Sequence, residues 1–447
     1  MILPSLAPGL DQTFAGMVET AVHAAHPDPG VRRAFMATYQ AVGQVHDAEG
    51  DSRPAGAREP DMPALLLDLG TAYLVAEDRD KAEKLYRLAL KLDPTMAIAH
   101  QNLSCILWER GEKEEARVHR DLAYRQQCVF FAPAPEEQRR VLILHGSGYG
   151  NVPLKWLIPQ QVNTSIFWFV EYTTPATLLS MPSYDVIFNA VGDADMDGPT
   201  FAMTCAFMQA STLRMLNNPH RVAATRRDRL PRLLDGIAGI DTPPVIRVTN
   251  VDEAVAGIAA SGMAFPVLLR PIGSHGGKGL HWLDGPGGLR AIEPGVADAW
   301  YLSPARDYRS ADGYWRKYRM IFVDRRPYPY HLAISSHWLV HYVTADMVSD
   351  PAKRAEEQRF LREPDAVLGA AAMASIQAIG ERMDLDYAGI DFSILPDGRV
   401  LVFEANATML VHPEREPEFA YKNPSVQNIV NAFEALMAGC AEVVHAG

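Results

Sequence analysis

The stretch Asp391-Phe392-Ser393-Ile394-Leu395-Pro396-Asp397-Gly398-Arg399-Val400-Leu401-Val402-Phe403-Glu404-Ala405-Asn406 decides how the chain is read. Ile390 to Leu395 and Val400 to Phe403 are short apolar runs, and Pro396-Asp397-Gly398 between them is a turn signal, so the spacing predicts a β-hairpin. Asp391 lies on the first strand, with Glu404 and Asn406 at the end of the second. Those two are two residues apart and project to one side of an extended chain, where pairing can bring Asp391 across from them. Two carboxylates and an amide oxygen make an all-oxygen set, the ligand type suited to Mg²⁺ carrying a nucleotide phosphate. The plain alternative is a surface hairpin with charged ends.

A chain of 447 residues exceeds one ordinary core and implies several domains. The formal net charge of -12 argues against a general nucleic-acid surface, whose affinity is largely phosphate neutralisation. Cys105, Cys128, Cys205 and Cys440 are scattered without metal-site spacing and are expected to be reduced thiols. No secretory pattern opens the sequence and no run is apolar and long enough to span a bilayer, so the expected compartment is the cytoplasm, without membrane contact.

Residues 11 to 47 read as two amphipathic helices split by His26-Pro27-Asp28-Pro29-Gly30, and residues 48 to 63 as a loop. From Pro63, the residues Gly70, Tyr73, Ala82, Tyr86, Ala89 and Pro94 resemble a tetratricopeptide repeat. A second window from Ala97, at an interval of 34, places Leu103, Leu107, Ala116 and Ala123 in register, with Gly111 at the inter-helix turn. The resemblance covers residues 63–128 of a helical region assigned to 1–133. It implies either a groove for a peptide, carrier or partner subunit, or a structural appendage or homodimer surface.

Further along, Val141-Leu142-Ile143-Leu144-His145 is a buried-strand run ending in Gly146-Ser147-Gly148-Tyr149-Gly150-Asn151, and Ile166 to Val170 reads as another core strand. The strand Tyr184 to Ala190 ends in Gly192-Asp193-Ala194-Asp195. Ligands gather outside such strand ends, which makes Asn189, Asp193 and Asp195 candidates for orienting a substrate, with loop capping as the alternative. A helix is predicted from Val222 to Leu230. Then the strand Phe265 to Pro271, the loop Ile272-Gly273-Ser274-His275-Gly276-Gly277-Lys278-Gly279 and the strand Leu280 to Leu283 form a glycine-rich flap. No helix follows and Lys278 is not followed by Ser or Thr, so it is not a P-loop. Its amides, with Ser274 and Lys278, can close over phosphates, and Arg270 supplies a fixed cation. In Trp315 to Val323, alternation puts Lys317 and Arg319 on one face and Tyr318 and Met320 on the other. Arg319 is a candidate for the transferred phosphoryl group and His331, on the return segment, for the substrate pocket. A solvated strand face is the alternative for Lys317. Helices are predicted at 366–383 and 426–438.

Three separated elements in order, the flap at 273–279, the Arg319 strand and the acidic hairpin, make residues 139 to 438 resemble the ATP-grasp superfamily of carboxylate–amine ligases. Asp391 and Glu404 are 13 apart, and Glu404-Ala405-Asn406 matches the family's Glu-x-Asn. The resemblance implies a multidomain chain: an all-α tetratricopeptide-like region, an α/β pre-grasp Rossmann-like lobe at 134–215, and an α+β ATP-grasp fold at 216–447. It implies ATP and two Mg²⁺, or Mn²⁺ in their place, held by Asp391, Glu404 and Asn406. Gly273, Ser274, His275, Gly276, Gly277, Lys278 and Gly279 would cover phosphates. Arg270, Lys278 and Arg319 would stabilise transferring charge. The implied reaction activates a carboxylate as an acyl-phosphate and joins it to an amine or peptide acceptor, releasing ADP and phosphate. A small-molecule kinase and a non-catalytic nucleotide-binding scaffold are the rivals. The chain departs from the pattern at Arg270 (usually lysine), Gly389 (arginine in D-alanine–D-alanine ligases), Ala407-Thr408-Met409 (usually a glycine-containing loop) and Tyr301-Leu302-Ser303 (no acidic ribose signature).

Overall fold

The computed structural model describes residues 61–148, 150–195, 198–274, 276–290 and 297–445. The chain divides into two compact units, Met1–Cys128 and Val129–Gly447. The helices expected within 11–47 lie outside the described residues.

The first unit contains α1 (Met62–Val75), α2 (Arg79–Leu92), α3 (Ala97–Glu109) and α4 (Lys113–Gln126), each packed on the next or separated from it by a short turn. Asp61 and Asp78 cap α1 and α2 by accepting from the amides of Ala64 and Lys81. Leu66, Leu69, Tyr73, Leu85, Leu103 and Leu107 fill the interior, and the small side chains of Ala82, Ala89, Ala99 and Ala116 let helices approach closely. At Gly70 a Cβ would lie 2.8 Å from the Tyr86 ring, so α1 can close on α2 only without one.

The second unit begins with β1 (Val129–Ala132), β2 (Arg139–His145), β3 (Asn163–Phe169), β4 (Val186–Asn189) and, after α5 (Pro199–Ala210), β5 (Met215–Leu216). They form one sheet in the order β1-β3-β2-β4-β5, parallel except for β1. Because β1 pairs with β3, the chain joins this unit at Val129, ahead of the position-134 boundary expected from sequence.

Next come β6 (Ile240–Asp241), β7 (Ile246–Val248), α6 (Val251–Ser261), β8 (Val267–Pro271), β9 (His281–Leu283) and β10 (Trp300–Pro304). Strands β7-β10-β8-β9 make a small antiparallel sheet with its own core around Val267, Leu269, Trp300 and Leu302. The last part holds β11 (Trp315–Val323), β12 (Arg326–Ser335), α7 (Pro351–Arg362), α8 (Ala370–Met383), β13 (Tyr387–Ile394), β14 (Val400–Asn406) and α9 (Asn423–His445). The sheet order is β12-β11-β13-β14-β6.

Alternation along β11 gives this sheet two packed faces. Tyr318, Met320 and Phe322 join α8 through Ile376 and Ile379. Ile321 and Val323 face a second core with Phe433 of α9 and Val141, Ile143 and Phe188 of the first sheet. The first sheet and the hairpin sheet therefore share a core, which fixes the ends of β4 near the ends of β13 and β14.

Two predicted helices are broken. The segment read as 222–230 is a short helix, Pro219–Ala224, then a turn, then Leu230–Leu233. The Thr225 hydroxyl donates back to the Val222 carbonyl, and Arg226 grips Asp228 two residues on, which holds the turn open. The segment read as 366–383 is interrupted at Gly369, whose φ of +83° lies outside the helical region. The last helix, α9, runs beyond the predicted 426–438 at both ends.

Candidate active site

The hairpin turns at Pro396–Gly398, where Gly398 has φ +85° and its N–H donates to the Leu395 carbonyl. Pairing then runs Phe392 with Val402 but Asp391 with Glu404, so one extra residue, Phe403, is taken up on β14. This bulge decides the chemistry. An unbroken ladder would put Phe403 opposite Asp391; the extra residue re-aims the strand and brings the two carboxylates face to face. On the other side of β13, Arg319 of β11 stands opposite Asp391. Arg319, Asp391 and Glu404 thus form one row across three strands.

Cations grip both acids. Arg319 donates to Asp391 through Nε at 2.6 Å and a second nitrogen at 3.0 Å, and Lys317 Nζ lies 3.3 Å from the same carboxylate. Arg227 donates to Glu404, and Arg270 stands 3.6 Å from it. Burial opposes ionisation of both acids, but Arg319 and Lys317 outweigh it at Asp391, and Arg227 with Arg270 outweighs it at Glu404. Both carboxyls are held well below their ordinary range. Burial, with Arg227 beside it, pushes Arg270 down to about 10, so it remains charged at neutral pH.

These groups line a cleft of about 230 Å³ whose other walls include the apolar Leu268, Trp338 and Phe403, the Tyr308 ring, and the polar Arg306, Ser303 and His341. Gly276 and Gly277 of the flap roof it, at φ +63° and +77°. A Cβ on Gly277 would come within 3.1 Å of Leu339, and one on Gly276 within 3.1 Å of His341. The flap therefore rests on the 339–341 segment, and Trp282 of β9 meets Trp338 with ring centroids 5.1 Å apart. Ser274 ties flap to strand: its hydroxyl donates to the Pro271 carbonyl at 2.7 Å and accepts from Arg270 Nε at 3.1 Å.

A second cavity of about 40 Å³ lies beyond a wall formed by Arg227, Arg270 and Tyr301, which line both. Asp193, Asp195, Arg226, Ser274, Asn406 and Thr408 also face it.

The residues singled out from sequence divide accordingly. Arg270, Gly276, Gly277, Arg319, Asp391 and Glu404 meet in the cleft; Gly273, Ser274, Asp193 and Asn406 line the second cavity. Lys278 and Gly279 are exposed and line neither. His275 lies outside the described residues. Asn189 is buried and spent on structure: its amide donates to the Asn217 carbonyl and its oxygen accepts from the Val191 N–H. His331 is opposite Arg319 in the ladder but buried away from both cavities, its ring stacked on Tyr342 at 4.9 Å. Burial, then the charge of Arg319, hold it well below its usual pKa, so it is neutral. Sequence reasoning passed over Arg227 and Tyr301, and left Lys317 open. For Lys317 the alternation that selected Arg319 was already the signal; Arg227 sits among three arginines that only the broken helix sorts.

Among the described residues no three His, Cys, Asp or Glu side chains converge as a metal site. The donor set is two carboxylates already held by four cationic side chains, plus Asn406, whose oxygen accepts from the Thr408 N–H and hydroxyl at 2.9 and 3.1 Å. Hard oxygen donors suit Mg²⁺. With positive charge in excess, they fit an ion that arrives together with a polyanion.

No family model and no curated protein matches the chain. Among solved structures it is similar to a RimK domain ATP-grasp protein from Sphaerobacter thermophilus DSM 20745 (15% identity, TM-score 0.40, 66% of this chain and 98% of that one). It is also similar to D-alanine–D-alanine ligase from Bacillus anthracis complexed with ATP (14%, 0.38, 67% and 98%). VanG D-Ala:D-Ser ligase from Enterococcus faecalis is a third (12%, 0.38, 66% and 100%). What the cleft does is read from its residues.

Proposed function

We propose that the second unit is an ATP-grasp ligase that uses ATP to activate a carboxylate and joins it to an amine or similar nucleophile. The observation that carries this reading is the convergence of Arg227, Arg270, Lys317 and Arg319 on two carboxylates beneath a glycine flap. That excess of cations suits a triphosphate, and the apolar walls suit a flat base.

In the proposed reaction a substrate carboxylate oxygen bonds to the γ-phosphorus while the bond to the β-bridging oxygen breaks, ADP keeping the electron pair. The four cations would stabilise the phosphoryl oxygens as charge redistributes. Asp391, Glu404 and Asn406 would hold Mg²⁺, which when bound neutralises phosphate charge. The flap would keep water from the acyl-phosphate. The neighbouring second cavity supports a joining reaction, since a nucleophile there needs only the Arg227–Arg270–Tyr301 wall to pass. The helix pairs of the first unit are read as tetratricopeptide-like and as a docking face for a peptide, a protein or a second copy; light scattering tests self-association.

The test is ADP release by the purified chain with Mg²⁺ and ATP against a panel of carboxylic acids and amines, with products identified by mass spectrometry. Release that depends on an acid, with a condensed product, supports the reading. A stable phosphorylated product, or no acid-dependent release, defeats it.

A further inference from the structure

The two cavities treat their acids in opposite ways. Asp391 and Glu404 are each held by two cations. Asp193 and Asp195, in the second cavity, have no lysine or arginine nitrogen within 4.0 Å among the described residues. Their partners are neutral donors: the Tyr301 hydroxyl donates to Asp195, and the Asp195 N–H donates to Asp193 at 2.9 Å. Of the guanidinium groups lining this cavity, Arg226 is occupied by Asp228 through two hydrogen bonds of 2.6 and 2.7 Å, and Arg227 and Arg270 are turned to Glu404. Tyr301 belongs to both cavities, so the group it orients lies next to the wall behind which the acyl-phosphate would form.

We propose that Asp195, oriented by the Tyr301 hydroxyl, receives the nucleophile as a small primary ammonium and accepts its proton before attack. This rests on the ligase reading above. The balance is as follows. The ammonium gives one proton to the Asp195 carboxylate, and the freed lone pair forms a C–N bond to the acyl carbon. The acyl C–O bond to phosphate breaks, phosphate keeping the pair and taking the second amine proton. Asp195 returns its proton to water.

Three features favour this assignment. The cavity is about 40 Å³, which admits a small amine and little more. Its carboxylates lack the cation that an ammonium would supply. Burial, with Asp193 adjacent, pushes the Asp195 carboxyl up, which suits a proton acceptor. The groups facing it are Tyr301 from β10, Asp193 on its own loop, Arg226 and Arg227 from the broken helix, and Arg270 from β8. The Tyr301 hydroxyl is pushed up by burial and by Asp195, so it stays a donor. Asp195 is thus a candidate catalytic residue and Tyr301 a positioning residue.

The experiment compares two nucleophiles on the full chain. The acid panel is the proteinogenic amino acids and short dicarboxylates, with Mg²⁺ and ATP. One nucleophile is hydroxylamine, which is already neutral near pH 7; the other is a small primary ammonium ion, methylammonium or glycine. In Asp195→Asn, amide formation is expected to fall by at least about thirtyfold, with the acid limb of its pH profile lost, while hydroxamate formation falls less than about threefold. In Tyr301→Phe, KM for the amine is expected to rise more than kcat falls. Equal loss of both products in Asp195→Asn, or retention of both at the parent rate, overturns the inference and leaves the ligase reading intact. No hydroxamate from the parent chain with any acid overturns the ligase reading and this inference with it.

Discussion

Asp391 and Glu404 stand directly opposite one another across β13 and β14 because the pairing slips by one residue between Asp391 and Phe392. That slip is what delivers the Glu404 carboxylate to Asp391, so the carboxylate itself is the group to remove. In Glu404→Gln, ATP-dependent turnover is expected to fall at least about a hundredfold, while far-ultraviolet circular dichroism stays unchanged. Turnover within a factor of two of the parent in that variant would remove the acid pair from the mechanism.

Arg319 depends on Asp391 for its burial. Asp391→Asn leaves the guanidinium without its counter-charge and is expected to cost about 3 kcal/mol, read from urea denaturation. Asp391→Asn combined with Arg319→Met is expected to recover most of that loss, because the uncompensated charge goes with it. A double variant less stable than the single one would contradict the pairing.

Acid should expose the same pairs. Both carboxyls titrate lower in the folded chain than in the unfolded one. Their stabilisation is therefore complete above the ordinary carboxylate values and is lost as the pH falls through the depressed folded values. Urea midpoints measured from about pH 7 to about pH 3 should drop on the acid side. Asp391→Asn and Glu404→Gln should flatten that limb. An unchanged acid limb in both variants would argue against cation-held carboxylates.

Four cations around two acids predict that Mg²⁺ binds only in company. Calorimetry with MgCl₂ alone is expected to show no saturable binding up to about 1 mM, and the ion should bind once a non-hydrolysable ATP analogue is present. Saturation by the free ion at micromolar concentration would mean that the carboxylates are released from their arginines without a polyanion.

Gly389 stands where a larger residue was noted in one branch of the resembled family, and the reason is steric. It pairs with Asn406, and a Cβ there would lie 2.7 Å from the Met409 side chain and 2.9 Å from the Met320 carbonyl. Gly389→Ala is expected to destabilise by about 2 kcal/mol in urea titrations. Adding Met409→Ala should relieve only part of it, since the backbone carbonyl remains.

The hairpin was legible because Pro396-Asp397-Gly398 and the flanking apolar runs are local signals. The alternation that sent Lys317 and Arg319 to one side of β11 was equally local. That pairing can bring Asp391 across from Glu404 was legible too; the bulge at Phe403 that achieves it was not, since a bulge is set by what packs on both strands rather than by either alone. Arg227 was hidden for a similar reason: the helix expected through it breaks at Thr225, and the break aims that arginine at Glu404. Lys278, a glycine-flanked cation that suits a phosphate by composition, is exposed on the flap and lines neither cavity, a placement that composition alone does not reveal.

Because Arg227, Arg270 and Tyr301 are a partition common to two chambers, neither chamber can be remodelled alone through them. Trimming any of the three to admit a bulkier guest on one side would open a passage into the other and loosen the grip on Glu404 or Asp195 at the same time. Selectivity for the smaller chamber's guest can drift through residues that line it alone, such as Ala194, Gly273 and Thr408, where no side chain serves both rooms.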